Sequence, residues 1–298
     1  ISIFAAYKDP PGIIGMTAGL GSGWFLDRAP EPAGFQIVLF VAVLCALVGI
    51  RLYSFHYEPR VAKAGPSLWQ TVKAPLVDRT FRPFLWFSAY WTVSVMLASP
   101  FVIPYFIRHL GMSFTQLAVW SAIASVATLF LSSLWGRLAD RVGHKHVLKV
   151  TTFLAGSAHP ACWMLATPGH LGFIWFSGIV EALSWGGINT AMFNLSVVTA
   201  PREKRMVYLA VAGAVTGIVG FCAGLLSGVL LEFLLKHEAW IGGFHWTGYH
   251  SLFTISAILR MQAWMLLGPV KEARAIPTRD ILKWLWLRTT NLRPWRVQ

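Results

Sequence analysis

Acidic residues are scarce in this chain: 12 Asp and Glu stand against 25 Lys and Arg, and charged residues of both signs make up only 12% of its 298 residues. So few charges cannot cover an ordinary water-soluble domain of this length. Cysteine is scarce too. Cys45, Cys162 and Cys222 all lie inside apolar runs with no C-x-x-C pairing, so they read as small core residues and imply neither a disulfide framework nor a metal site. There is no G-x-S-x-G elbow, phosphate loop, H-E-x-x-H pair or clustered metal-ligand spacing, which removes the sequence grounds for an enzyme or a bound cofactor. No initiator Met or signal peptide opens the chain. It starts at Ile1 inside an apolar segment and reads as part of a longer protein.

What is abundant is apolar: 56% of residues are hydrophobic and the mean hydropathy is +0.58. A bilayer core of about 30 Å needs roughly 20 apolar residues per helix. Eight runs meet or approach that length: about 2–27, 34–56, 83–108, 113–135, 147–168, 171–195, 206–234 and 249–270. The expected fold is therefore all-α, a polytopic membrane bundle of eight transmembrane helices. The net charge of +13 has two readings, and its distribution decides between them. Six Lys and Arg fall in 51–82, four in 137–149, three in 202–205 and seven in 271–298, which puts 20 of the 25 on alternate loops. That asymmetry places those loops in the cytoplasm. A nucleic-acid partner would need one basic soluble face, and none exists.

Most loops are short; 57–82 is polar and basic and carries Pro59, Pro66 and Pro75. It divides the chain into a two-helix segment (1–56), a cytoplasmic central loop (57–82), a six-helix bundle (83–270) and a basic cytoplasmic tail (271–298). Inside the central loop, Leu68, Trp69, Val72, Leu76 and Val77 recur at helical spacing, which suits a short amphipathic helix on the membrane surface; a solvated linker is the alternative. The stretch ILKWLWL from Ile281 to Leu287, flanked by Arg and Lys, suits an interfacial segment drawn to anionic lipid.

An internal repeat sets the register. Residues 18–27, AGLGSGWFLD, match 223–232, AGLLSGVLLE, at six of ten positions and align Asp27 with Glu232. The first two helices thus repeat the last two, as in a duplicated transporter. Each copy carries a glycine ladder, Gly15, Gly19 and Gly23 in one and Gly220, Gly224 and Gly228 in the other, expected to serve helix packing. The small surface Ala118, Ser121, Ala122 and Ser125 is a matching face.

The polar stretch 136–148, GRLADRVGHKHVL, sits between two membrane-length runs. It closely resembles the signature cytoplasmic loop of the major facilitator superfamily, G-x-L-A-D-R-x-G-R-K-x-x-L, with Gly136, Leu138, Asp140, Arg141, Gly143 and Lys145 in place and His144 where the family has Arg. Gly136 would let two helix ends approach, Asp140 would complement a helix N-terminus, and Arg141 and Lys145 would hold the turn on the cytoplasmic side. The resemblance implies a partial copy of that twelve-helix fold. Four helices follow the loop and the repeated pair sits at both ends, so the eight helices would be numbers five to twelve, with Asp140 facing the start of the first, near residues 1–5. It also implies a secondary active transporter in the bacterial inner membrane, moving a small-molecule substrate by alternating access, with protons as a candidate coupling ion and lipid as its surroundings. Complete, it would act as a monomer. The alternatives are a non-transporting member of the same fold serving as a membrane assembly factor, or a fragment inactive alone.

Ionisable groups inside the bilayer mark the candidate site, since a central charge costs about 2.5–3.5 kcal/mol on insertion scales. Glu181 lies mid-helix; Ser184, Trp185 and Ile188 share its face and Asn189 lies at the edge. By the resemblance this helix lines the central cavity, where Glu181 would carry a coupling proton or bind substrate; a structural hydrogen bond is the alternative. Tyr90, Trp91 and Ser94 would face it across the cavity, or serve packing. Arg260, deep in the last helix, would pair with a carboxylate or fix packing. Lys8 and Asp9 precede Pro10-Pro11, marking either a broken helix or a ragged helix start. Pro100 and Pro104 make the end of their helix bendable, and His159 reads as a satisfied core histidine.

Overall fold

A computed structural model describes residues 9–55 and 68–272. The described helices follow the apolar runs: α1 Asp9–Leu26, α2 Ala33–Tyr53, α3 Leu68–Val77, α4 Arg82–Met96, α5 Ser99–Arg108, α6 Phe114–Val142, α7 His144–Met164, α8 Gly172–Thr199, α9 Arg205–Leu235 and α10 Gly248–Leu266. A two-stranded hairpin, β1 Ala239–Ile241 and β2 Phe244–Trp246, joins α9 to α10, with Gly242 and Gly243 at φ +57° and +83° making its turn. The stretch Arg82–Arg108, broken into α4 and α5, counts as one membrane-length unit; with Ala33–Tyr53, Phe114–Val142 and Arg202–Leu235 it is long and apolar enough to cross a membrane by itself. The other runs form helices with more polar content: α1 is glycine-rich, α7 carries His159, α8 Glu181 and α10 Arg260. The whole is an all-α membrane bundle.

Helix starts are written locally. Ser113 and Gln116 form a reciprocal capping box at α6, and Thr247 and His250 form one at α10. Pro83 sits in the first turn of α4, where a missing N–H costs nothing. The break between α4 and α5 follows from Pro100, which cannot donate to the carbonyl four residues back.

In lipid, packing rather than water exclusion holds helices together, and small residues set how close they come. A Cβ on Gly156 of α7 would lie 2.6 Å from the backbone nitrogen of Met261 in α10. One on Gly178 of α8 would lie 3.3 Å from Trp120 O of α6, and one on Gly187 would meet Thr151 and Trp135. Two buried clusters fill the spaces between. One gathers Phe87, Leu148 and Leu195 near the basic joints, which we call the basic end; the second gathers Tyr105, Phe106, Ile174 and Phe253 toward the opposite end. The apolar side chains of α2 face outward, as lipid contact requires: Leu39 is 65% and Ile50 68% exposed.

Candidate functional site

Three small residues turn α8 inward: Gly178, Gly186 and Gly187 seat it against α6 and α7. Glu181 keeps partial exposure, while its Oε2 is buried without a hydrogen-bond partner among the described residues. One turn on, half-buried Trp185 packs at 6.0 Å against Trp91 of α4, and one turn further Asn189 is exposed. Not every expected cavity residue is open. Ser184 is fully buried and donates to Val180 O; Ser94 is fully buried and donates to Trp91 O; Trp91 is 4% exposed. A helical hydroxyl reaches its own carbonyls first, and the rotation of each helix puts these three in packing. Tyr90 stays half-buried, its hydroxyl 3.4 Å from Gln262 Oε1 of α10. The open candidates are therefore Glu181, Trp185, Asn189 and Tyr90.

Arg260 is 1% exposed, and among the described residues its hydrogen bonds run to backbone carbonyls rather than a carboxylate: Nη1 to Ala155 O at 3.5 Å and Nη2 to Val95 O at 3.3 Å. Ser256 on the same face donates to Ser94 O at 2.6 Å. Ser94 O and Val95 O precede the break after α4, where the helical ladder is interrupted, so α10 supplies donors where the break disturbs them. Arg260 thus serves packing, fastening the break between α7 and α10. His159 corrects the expectation of a satisfied histidine: it is buried against Trp163 at 4.4 Å and neither ring nitrogen has a hydrogen-bond partner among the described residues.

The signature stretch is mostly helix. α6 continues through Gly136, Leu138, Asp140 and Arg141 to Val142, and the turn is Gly143 alone, at φ +99°. Space around Gly136 is open, with nothing within 4 Å of a Cβ placed there, so Gly136 makes no close joint and the turn belongs to Gly143. The first turn of α7 is capped from afar. Glu272, beyond α10, accepts from the backbone N–H groups of His144 and Lys145, both at 2.9 Å. In return Lys145 Nζ donates to Gly268 O and Val270 O at 2.7 Å, just past the end of α10. Glu272 thus caps α7, a role the sequence had suggested for Asp140 toward a different helix; its one signal there is an acid at the start of a basic tail. Asp140 is exposed, and residues 1–5, which it was expected to face, lie outside the described residues. So do Lys8 and the side chain of Asp9.

Two further carboxylates join elements. Asp78, between α3 and α4, accepts from Thr80 N at 2.7 Å, Phe81 N at 3.3 Å and the Tyr208 hydroxyl of α9 at 2.9 Å. Partial burial pushes its carboxyl up, but these donors outweigh that and hold it below its ordinary value of 3.8. Asp27, after α1, accepts from Phe114 N and Thr115 N of α6, both at 2.8 Å. Burial again acts upward and the Thr115, Phe114 and Ser113 donors prevail, holding Asp27 below 3.8. Beside it Gly23 meets α6, where a Cβ would lie 2.7 Å from Phe114 O and 2.9 Å from Ala118 Cβ. The ladders are used unevenly. Gly220 approaches Thr92 of α4 and Gly228 approaches Phe101 of α5, while Gly15, Gly19 and Gly224 face open space.

The sequence pattern of the Major Facilitator Superfamily matches residues 84–297. Two curated relatives, both named multi-drug resistance efflux pump PmrA, come from Streptococcus pneumoniae serotype 4 (strain ATCC BAA-334 / TIGR4) and from strain ATCC BAA-255 / R6. Each is 30% identical over 215 residues, covering 66% of this chain and 48% of the relative. The chain spans about half the length of the curated relatives it matches. With that match running from the third residue of α4 to the tail, over a helical bundle with membrane-length apolar spans, the chain belongs to the major facilitator superfamily and is an integral membrane protein.

Proposed function

We propose that the complete protein is a secondary active transporter of a bacterial membrane, moving a small solute by alternating access, with Glu181 as its coupling and binding carboxylate. The single observation that carries the assignment is Glu181 itself: an acid in the middle of a membrane helix, partly open, with one oxygen buried and without a hydrogen-bond partner among the described residues. A structural carboxylate would be fully bonded, because an unmet charge at this depth is costly. Family membership and the kinship to efflux pumps support the transport reading. The surroundings favour a lipophilic cation as solute. A carboxylate one turn from Trp185 offers charge and a π face together, and release of a proton from Glu181 on cation binding would couple the two fluxes. On this reading the basic joints face the cytoplasm and the eight helices are numbers five to twelve.

The test is fluorescent-dye movement in proteoliposomes of the complete protein under an imposed pH gradient, with ethidium as the probe. Glu181→Gln is expected to lower the gradient-driven rate by roughly tenfold or more, the loss of about 1.4 kcal/mol of coupling. An unchanged rate from pH 6 to 8 in the variant would overturn the role of Glu181. A folded wild type that moves no dye would overturn the choice of solute.

A further inference from the structure

At the end of the bundle opposite the basic joints, α1 meets α6. Ser113 and Gln116 satisfy the third amide of α6 and the cap residue's own N–H, leaving the amides of Phe114 and Thr115 for an acceptor from elsewhere. Asp27 supplies both oxygens, one to each amide, across 87 and 88 residues of sequence. The adjacent cation does not compete: Arg28 lies over the Trp24 ring at 4.3 Å and donates to Trp24 O. Gly23, one turn back, is the one α1 position among residues 14–26 that is buried, and its missing side chain lets the two backbones touch. Farther along the same ladder, Gly19 and Gly15 face open space. Among the described residues the contact is therefore tightest at this end, and its one charge-assisted element is the bidentate carboxylate.

We propose that Asp27 is a releasable latch between α1 and α6, a positioning residue that holds this end of the seam closed and lets go when the helices part in the transport cycle. The inference rests on the transport reading only for that cycle; the latch itself is a statement about the closed seam. Its components suit repeated opening. Both partners are exposed enough for water to replace each hydrogen bond as it breaks, so neither the carboxylate nor the amides are stranded. The alternative, a permanent staple, would bury the pair.

Spin labels at Arg28 and Arg108, both exposed at this end, report the seam by pulsed dipolar distance measurement on the complete protein in lipid nanodiscs. Asp27→Ala is expected to raise the ratio of long to short distances roughly two- to fivefold, the effect of losing a carboxylate from an exposed helix N-terminus. Asp27→Glu should restore the short population. Asp27→Asn, which keeps one acceptor and the side-chain volume, should lie between them and serves if the alanine variant does not fold. Identical distributions in wild type, Asp27→Ala and Asp27→Asn would overturn the latch. Dye movement separates the two proposals. A wild type that moves no dye but shows the predicted shift retains the latch and loses the solute assignment; normal dye movement without a shift does the reverse.

Discussion

The amides in a helix's first turn have no partners within the helix, and in this protein side chains from distant parts of the chain answer them. Asp78 joins neighbouring elements instead, bonded to two amides of its own turn and to Tyr208 of α9. Tyr208→Phe removes one bond and leaves the amides served, so it should lower stability by about 0.5–1 kcal/mol. Asp78→Ala strips all three and should cost about 1–2 kcal/mol, partial solvent exposure having reduced the figure for a buried charge. Thermal unfolding in detergent measures both. The pH dependence follows from the direction of the Asp78 shift. Its folded carboxyl is held below 3.8, so its contribution is complete above that value and fades as pH falls through the lower folded value. Melting midpoints of wild type and Asp78→Ala should therefore differ at pH 7 and converge as the pH falls through the lowered folded value of the carboxyl.

At the scale of elements, the joint between α6 and α7 turns on one glycine. Gly143 at φ +99° and ψ 146° occupies a region that side-chain-bearing residues avoid, and Gly143→Ala should cost roughly 1–3 kcal/mol. The same change misaligns the amides that Glu272 holds, so hydrogen exchange at His144 and Lys145 should quicken, as it should in Glu272→Ala. How much of this was legible in the sequence depends on the range of the interaction. The eight helical runs and the proline break were readable, because apolar length and a missing N–H act locally. The amphipathic segment at Leu68–Val77 was readable for the same reason. The turn was misplaced to Gly136 because hydropathy falls at Arg137 and Asp140 while RLADRV remains able to form helix; polarity ended the membrane run, not the helix. A helical wheel puts Ser184 beside Glu181 but could not say that a fully buried Ser184 would spend its hydroxyl on Val180. Glu272 reaches across 127 and 128 residues, a distance at which no local pattern speaks.

For the molecule as a whole, the two glycine ladders separate internal packing from surface kept free. Gly220→Leu should destabilise the bundle, since even a Cβ would meet Thr92 at 3.0 Å. A Cβ at Gly224 meets nothing within 4 Å, so in Gly224→Leu melting should move by less than about 0.5 kcal/mol, while dye transport by the complete protein should fall. Equal effects on folding would erase that distinction. Arg260 carries a consequence of another kind, for the order in which the protein is made. Its acceptors, Val95 O and Ala155 O, belong to α4 and α7, both of which leave the ribosome before α10. An isolated α10 presented to the translocon bears the charge alone, a cost of about 2.5–3.5 kcal/mol near the helix centre. Scored by a glycosylation tag, the lone segment should insert poorly, and Arg260→Leu should restore it. In the growing chain α10 should become efficient once α4 to α7 precede it: the last helix enters a membrane in which its receptor already stands.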